Sequence, residues 1–307
     1  MYAHGKLLLT GEYFVLDGAL ALAVPTRKGQ SMHVVPRPTH PSCLHWESYT
    51  HDGICWFAAE WEWTGQALSL INTNDPATAD RLVQLLQSIQ QQGKQLPLGQ
   101  SIRTTLEFPQ DWGLGSSSTL VSLLAQHTDA NPYTLLKDSF GGSGYDIACA
   151  TAHTPILYQL KEGAPTVQPQ SWEPAYYTHI YFVHLGQKQN SREGIRRYRE
   201  LCGIQAGLID AISDLTLQIL EANNLTAAMD GWKQHEALVS QILQIPPVQT
   251  ERFPDFPGQI KSLGAWGGDF VGVLSPWSPA DTIHYFAHKG YPTLFTWEEM
   301  IHDEQIM

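Results

Sequence analysis

The sequence predicts a two-lobed chain of mixed strands and helices, and three observations carry that reading. Its 307 residues, 43% of them hydrophobic, exceed what one core comfortably organises. The opening third reads as strands bounded by Gly, Pro and charged turns. The later part carries three amphipathic helical stretches, with strand-forming runs on either side.

Taken in order, "KLLLT", "ALALAVP" and "SMHVVPR" are the first strands. The segment "CLHWESYTHDGICWFAAEWEW" alternates apolar and polar residues around Asp52-Gly53, a two-residue hairpin signal. It holds Cys43, His45, His51 and Cys55, a set with zinc-ligand chemistry. The hairpin register speaks against a metal: Thr50 should face Cys55 and Glu62 should face Cys43. That separates the cysteines by about 20 Å, at roughly 3.3 Å per residue. A helix follows over "NDPATADRLVQLLQSIQQQGK", with Asp75 as cap, Pro76 at the first helical position and Gly93 at the end. Strand "SIRTTLEF" leads to the turn "WGLGSSSTLVSLLAQHT" and a helix starting near Ser116.

That turn is chemically informative. A helix N-terminus presents unpaired N–H groups and a positive dipole end, and Gly113 and Gly115 let the backbone curl close to a ligand. An anion is the natural guest. Ser116, Ser117 and Ser118 add hydroxyls suited to phosphate oxygens or Mg²⁺, although the lysine of an ordinary P-loop is missing. A serine-capped helix after a glycine loop is the plainer alternative. A second cluster, "SFGGSGYDIACATAH", sets Asp146 just inside a small and apolar helical start, where it serves the dipole or a chemical task. A third, "KSLGAWGGDFVGVL", puts flexible backbone beside a strand.

The whole chain excludes several classes. Cys43, Cys55, Cys149 and Cys202 form no CxxC pair, and the N-terminus has none of the regions of a signal peptide, so a reducing cytoplasm is expected. No apolar run approaches the roughly 20 residues that span a bilayer. A net charge of -12 repels nucleic acid and anionic membranes. Partners are then small molecules; a homodimer stays open.

The three glycine clusters, in this order and with "GKLLLTGEYFVLDGALALAVP", resemble the GHMP kinase superfamily. "GKLLLTGEYFVLDGA" is similar to its first motif, "GLGSSSTLVSLLA" to its phosphate-binding second motif and "GAWGGD" to its third. The likeness leans to the isoprenoid branch of mevalonate and phosphomevalonate kinases, through Gly11-Glu12-Tyr13, "VLDG" and "GSGYDIACA". It implies an α+β, two-lobed fold: an N-terminal mixed α/β nucleotide-binding lobe over 1–170 and a C-terminal ferredoxin-like lobe over 171–307. The later elements agree: strand "YYTHIYFVHLG", helices over Ser191–Leu201, Ile204–Ala222 and Leu225–Leu243, helix "SPADTIHYFAHKG" and strand "PTLFTW". His284 and His288, four apart in that last helix, read as a solvent-facing pair rather than metal ligands.

The resemblance also implies roles. Gly113, Leu114, Gly115, Ser116 and Ser117 would wrap the phosphates of ATP, with Ser117 on Mg²⁺. Asp146 would be the catalytic aspartate, and Lys6 would pair with it and keep it ionised. Glu12, Tyr13, Gly264, Gly267 and Gly268 would lie on the acceptor side, with Asp269 serving its own loop. There are departures. The magnesium-binding Glu of similar mevalonate kinases is replaced by Leu135, with Asp138 the nearby acid; Tyr13 stands where His is usual, and Trp266 where Gly is usual.

The segment "QKQNSREGIRRYRE" concentrates positive charge. Lys188, Ser191 and Arg192 are candidates for an anionic acceptor, with Arg192, Arg196 and Arg199 on one helical face. A solvated face pairing with Glu193 and Glu200 is the plainer reading, above all for Arg197 and Arg199. The expectation is therefore an ATP- and Mg²⁺-dependent kinase of phosphomevalonate or mevalonate. Kinase action on homoserine, a sugar or another small alcohol, ATP-dependent diphosphomevalonate decarboxylation, and ligand binding without turnover are the alternatives.

Overall fold

A computed structural model of the chain describes residues 1–187, 191–201, 206–266 and 269–303. The chain divides into two compact units. The first comprises Met1–Gly5, Lys28–Gln110 and Leu114–Thr151; the second comprises Lys6–Arg27, Asp111–Gly113 and Ala152–Met307.

The first unit is a sheet covered on one face by helices. Its strands are the start of β1 (Tyr2–Leu8), the end of β2 (Ala21–Pro36), then β3 (Cys43–Tyr49), β4 (Cys55–Trp63), β5 (Leu68–Thr73) and β6 (Gln100–Leu106). Five of these run in the order β5-β4-β3-β6-β2, with β3 and β6 parallel and the other neighbours antiparallel, and β1 pairs with β2. The helices are α1 (Pro76–Gln91), α2 (Ser116–Thr128), α3 (Pro132–Ser139) and α4 (Tyr145–Ala150). Alternation decides which face is covered: Leu44, Trp46, Phe57, Trp61 and Ile102 point inward against Leu82, Leu85, Leu86, Val121, Leu124 and Leu135. Each such large side chain contributes about 1.5–3 kcal/mol on full burial.

In the second unit the first residues of β2 pair with β7 (Ile156–Lys161), which pairs with β8 (Ala164–Pro169). A four-stranded antiparallel sheet has the order β10-β11-β9-β12, from β9 (Ile180–His184), β10 (Gln259–Ser262), β11 (Phe270–Leu274) and β12 (Leu294–Thr296). Its helices are α5 (Ser191–Leu201), α6 (Ala206–Glu221), α7 (Leu225–Leu243), α8 (Val248–Arg252), α9 (Pro279–His288) and α10 (Trp297–Met300). This sheet-and-helix arrangement is the α+β class expected. Among the described residues no helix is long and apolar enough to cross a membrane.

Several local readings change. "ALALAVP" and "SMHVVPR" are one strand, not two. Pro25 lies between the β7-paired residues 21–23 and the β6-paired residues 30–36, at a point where neither of those two strands is in register with β2. Gly29 does not end a strand: a Cβ there would lie 2.1 Å from Ala3 O, so glycine lets β1 approach. The hairpin keeps the expected Cys43↔Glu62 register but shifts at Ser48/Tyr49, placing Tyr49 rather than Thr50 opposite Cys55. The cause is the turn. It takes three residues, with Thr50 N–H donating to Ile54 O at 2.9 Å and Gly53 left-handed at φ +83. Helix α1 starts at Pro76 under an Asp75 cap, as read. The start of the expected Ile204–Ala222 helix falls outside the described residues. Among the described residues no cluster of three His, Cys, Asp or Glu could hold a metal ion.

Candidate functional site

The candidate residues fall in both units, and each set is built differently. In the first unit the sequence "GLGSSS" becomes a left-handed Gly115 (φ +89) followed directly by α2. Gly115 has no side chain with which to cap and makes no capping bond, so the first-turn N–H groups lack an intrahelical partner under the positive end of a 13-residue helix. Leu114 is fully buried, so only its backbone can meet a ligand. Ser117 is exposed, whereas Ser118 is buried and donates to Gly115 O at 2.9 Å. Thr119 is tied to Gln30 Oε1 at 2.7 Å, fixing the helix start to β2.

Asp146 is the second residue of α4, behind a left-handed Gly144 (φ +89). Its Oδ1 accepts the Ile147 N–H at 3.0 Å. Sequence reasoning missed its neighbour Tyr133: burial, then the Asp146 carboxylate and Cys149, raise the phenol's pKa. Nothing in the local pattern around Tyr133 signals this.

In the second unit Lys6, on β1, donates from Nζ to Gly113 O at 2.8 Å. Gly113 is left-handed (φ +66), and the space its Cβ would need is taken by the Asp269 carboxylate. Gly264 is left-handed (φ +60) with open space beside it. Glu12 is completely buried and ion-paired with buried Lys261. Tyr13, with φ +63, is buried against Phe14, Tyr198 and Trp266, and its ring stacks on Tyr198 at 5.8 Å. Gly267, Gly268 and Lys188 lie outside the described residues, as do the side chains of Ser191 and Arg192.

The basic helix is partly explained by structure. Arg196 pairs with Glu193 and Glu200 at 3.9 and 3.3 Å on the exposed surface. Arg197 reaches the end of α7, donating to Leu243 O at 3.0 Å and Gln244 O at 3.1 Å. There it meets the unpaired carbonyls and negative dipole end of that helix. Rings of His284 and His288 lie 4.0 Å apart on the exposed face of α9.

No protein-family model and no curated protein matches the sequence. Solved structures do. A L. major mevalonate kinase in complex with R-mevalonate is similar at 17% identity and TM-score 0.69, covering 96% of this chain and 94% of that one. A Streptococcus pneumoniae phosphomevalonate kinase in complex with phosphomevalonate and AMPPNP is similar at 16% identity and TM-score 0.69, covering 96% and 99%. A Lactococcus lactis galactokinase complexed with galactose is similar at 13% identity and TM-score 0.71, covering 98% and 93%.

The chain has the GHMP kinase fold. Within this GHMP kinase fold the departures noted in the sequence take physical form. Leu135 is fully buried in the first unit's core, and no ion could sit on it. Asp138 accepts a hydrogen bond from Ser88 of α1 at 2.6 Å, a packing role between α1 and α3. Trp266 is buried beside Tyr13 in one apolar cluster. Tyr13 and Trp266 are thus two large rings that share a core.

Proposed function

We propose that this protein is an ATP-dependent small-molecule kinase whose acceptor belongs to the mevalonate route, phosphomevalonate or mevalonate. The observation that carries the reading is the left-handed Gly115 ahead of an uncapped α2. It leaves oriented N–H donors where a triphosphate can be held by backbone alone. Phosphoryl transfer asks the protein mainly for alignment and charge neutralisation. Gly113, Gly115, Ser116 and Ser117 would supply the first. Lys6 would counter the charge developing on the acceptor oxygen, and Asp146 would orient that hydroxyl and take its proton.

The residues present fit a Mg²⁺ ion carried in with the nucleotide. Such ions keep most of their shell from phosphates and water and need only one or two protein oxygens, for which the exposed Ser117 hydroxyl is the candidate. When bound, the ion would neutralise phosphate charge.

Support for an acceptor of this class comes from the similar mevalonate and phosphomevalonate kinases and from the basic α5. A second reading, nucleotide binding without turnover, is favoured by one observation: Leu135 is core and Asp138 is engaged with Ser88. The test is incubation with ATP, Mg²⁺ and a panel of mevalonate, phosphomevalonate, diphosphomevalonate, homoserine and sugars, with mass analysis of products. A gain of one phosphoryl group on either of the first two supports the proposal. Exclusive phosphorylation of another alcohol, release of CO₂, or ATP binding with no product overturns it.

A further inference from the structure

The leading side of the glycine turn, Asp111–Gly113, belongs to the second unit and is gripped there from three directions. The Trp112 ring packs on His184, Phe270 and Phe295, with centroids 5.8, 5.7 and 5.3 Å away. The Gly113 carbonyl accepts the Lys6 ammonium at 2.8 Å. On its third side Gly113 lies directly against Asp269: a Cβ on the glycine would fall 2.2 Å from Oδ2, 2.4 Å from Cγ and 2.8 Å from Cβ of that residue.

Asp269 cannot swing away freely. Its carbonyl accepts the Leu185 N–H at 2.9 Å, and the next residue, Phe270, is paired with His184 in the β11–β9 ladder. A carboxylate on a sheet-fixed backbone therefore fills the side of Gly113 that any other residue would occupy. Together with φ +66, this leaves glycine the one residue that fits.

We propose that Asp269 is a positioning residue for the nucleotide: its carboxylate is the wedge that sets Gly113, so the aspartate that closes "GAWGGD" fixes the first glycine of the phosphate-binding turn. This rests on the reading of that turn as an ATP site. Its physical basis is preorganisation, since donors already aimed at an anion need no ordering when it binds. A carboxylate near phosphates would repel them on its own; the Lys6 ammonium, bonded to the carbonyl of the same Gly113, supplies the compensating charge.

The test is calorimetric titration of the full chain with AMPPNP and Mg²⁺, alongside thermal melting and acceptor kinetics. Asp269→Ala removes the wedge and should weaken nucleotide affinity about tenfold or more, with the acceptor's Michaelis constant and the melting temperature unchanged. Asp269→Asn keeps the shape and should stay within about threefold of the parent. Parent-like affinity in Asp269→Ala overturns the proposal. So does an Asp269→Asn variant as weak as Asp269→Ala, which would assign the effect to charge rather than shape. If Asp269→Ala does not fold, Asp269→Ser carries the same comparison. If the parent itself binds no nucleotide, the functional reading fails on its own. Amide exchange at Gly113–Gly115 then decides this proposal: faster exchange in the truncated variant supports it, and unchanged exchange overturns it.

Discussion

Glu12 and Lys261, 249 positions apart in sequence, face each other as a completely buried ion pair, with Lys261 Nζ donating to Glu12 Oε1. Lys261 also donates to Ser262 O at 3.0 Å, and His235 Nε2 lies 3.5 Å from Glu12 Oε2. That same His235 nitrogen accepts the Gly11 N–H at 3.0 Å, which requires a neutral ring. Burial, then the nearby Lys261 charge, holds its pKa well below the ordinary histidine value. The Gly11–Tyr13 turn is thereby fastened to β10 and α7. Lys261→Met strands a buried carboxylate and should cost about 3–5 kcal/mol, and adding Glu12→Gln should recover most of it. Urea unfolding of both variants checks this; a single variant as stable as the parent would show that the pair carries no weight.

Glu236 gives the stability of this region a pH dependence. Its oxygens accept the Ser262 N–H at 3.0 Å and the Ser262 hydroxyl at 2.9 Å. Burial pushes its pKa up from 4.5 to about 7, against the opposing pull of Lys261 and Ser262. Below 4.5 the group is protonated in both folded and unfolded chains, and its contribution is fully present. Stability is lost as pH rises through the window up to about 7, because there the folded state holds the extra proton. His235 acts in the opposite sense, losing stability as pH falls through 6.5. Removing the Glu236 ionisation isolates its share. Glu236→Gln should gain on the parent by a few kcal/mol at most at pH 8, and by much less at pH 5. Equal differences at the two pH values would refute the assignment.

What the sequence made legible was local. Asp75-Pro76 capping α1 and Gly115 preceding α2 are each written within four residues and match the structure, and Asp52-Gly53 marks the hairpin although its turn takes one residue more than the pair implies. Strand β5 escaped because none of its residues is buried and it carries no one-sided apolar alternation. The splitting of β2 at Pro25 and Gly29 failed because proline and glycine mark close approach as well as strand ends. The grips on the candidate site are long-range: Lys261 on Glu12, His235 on Gly11 and Asp269 on Gly113 leave no spacing pattern to read. Arg197 shows the same limit, looking like a solvated helix face and serving instead as the cap of α7.

Asp146 separates binding from chemistry. It sits at the second position of α4, where its charge suits the helix dipole, and Ala150 and Cys149 behind it are buried. Asp146→Asn preserves shape, so the fold and nucleotide affinity should hold, while turnover falls by roughly two or more orders of magnitude. Single-turnover kinetics beside nucleotide titration measure both quantities. Full turnover in the variant would remove Asp146 from the mechanism.

Gly194 offers a test on the acceptor side in which two effects of opposite sign compete. Inside a helix such as α5, replacing glycine by alanine should stabilise by roughly 1 kcal/mol on propensity alone. Here a Cβ would fall 2.2 Å from the Tyr13 hydroxyl and 2.8 Å from its Cζ. Tyr13 cannot yield easily: it is buried, stacked on Tyr198, and Tyr198 is itself anchored by a 2.6 Å hydrogen bond to Asp17 Oδ2. Overpacking of this kind typically costs 1–3 kcal/mol, so the sum for Gly194→Ala should be destabilising. Tyr13→Phe takes away the nearest atom but leaves Cζ close, so the double variant should regain part of the loss and not all of it. Because Tyr13 and α5 carry the candidate acceptor residues, Gly194→Ala should also raise the acceptor's Michaelis constant and leave the nucleotide's unchanged. Melting temperature and steady-state kinetics on the two variants decide it. A Gly194→Ala protein more stable than the parent would mean that helix propensity wins and that α5 does not seat on Tyr13.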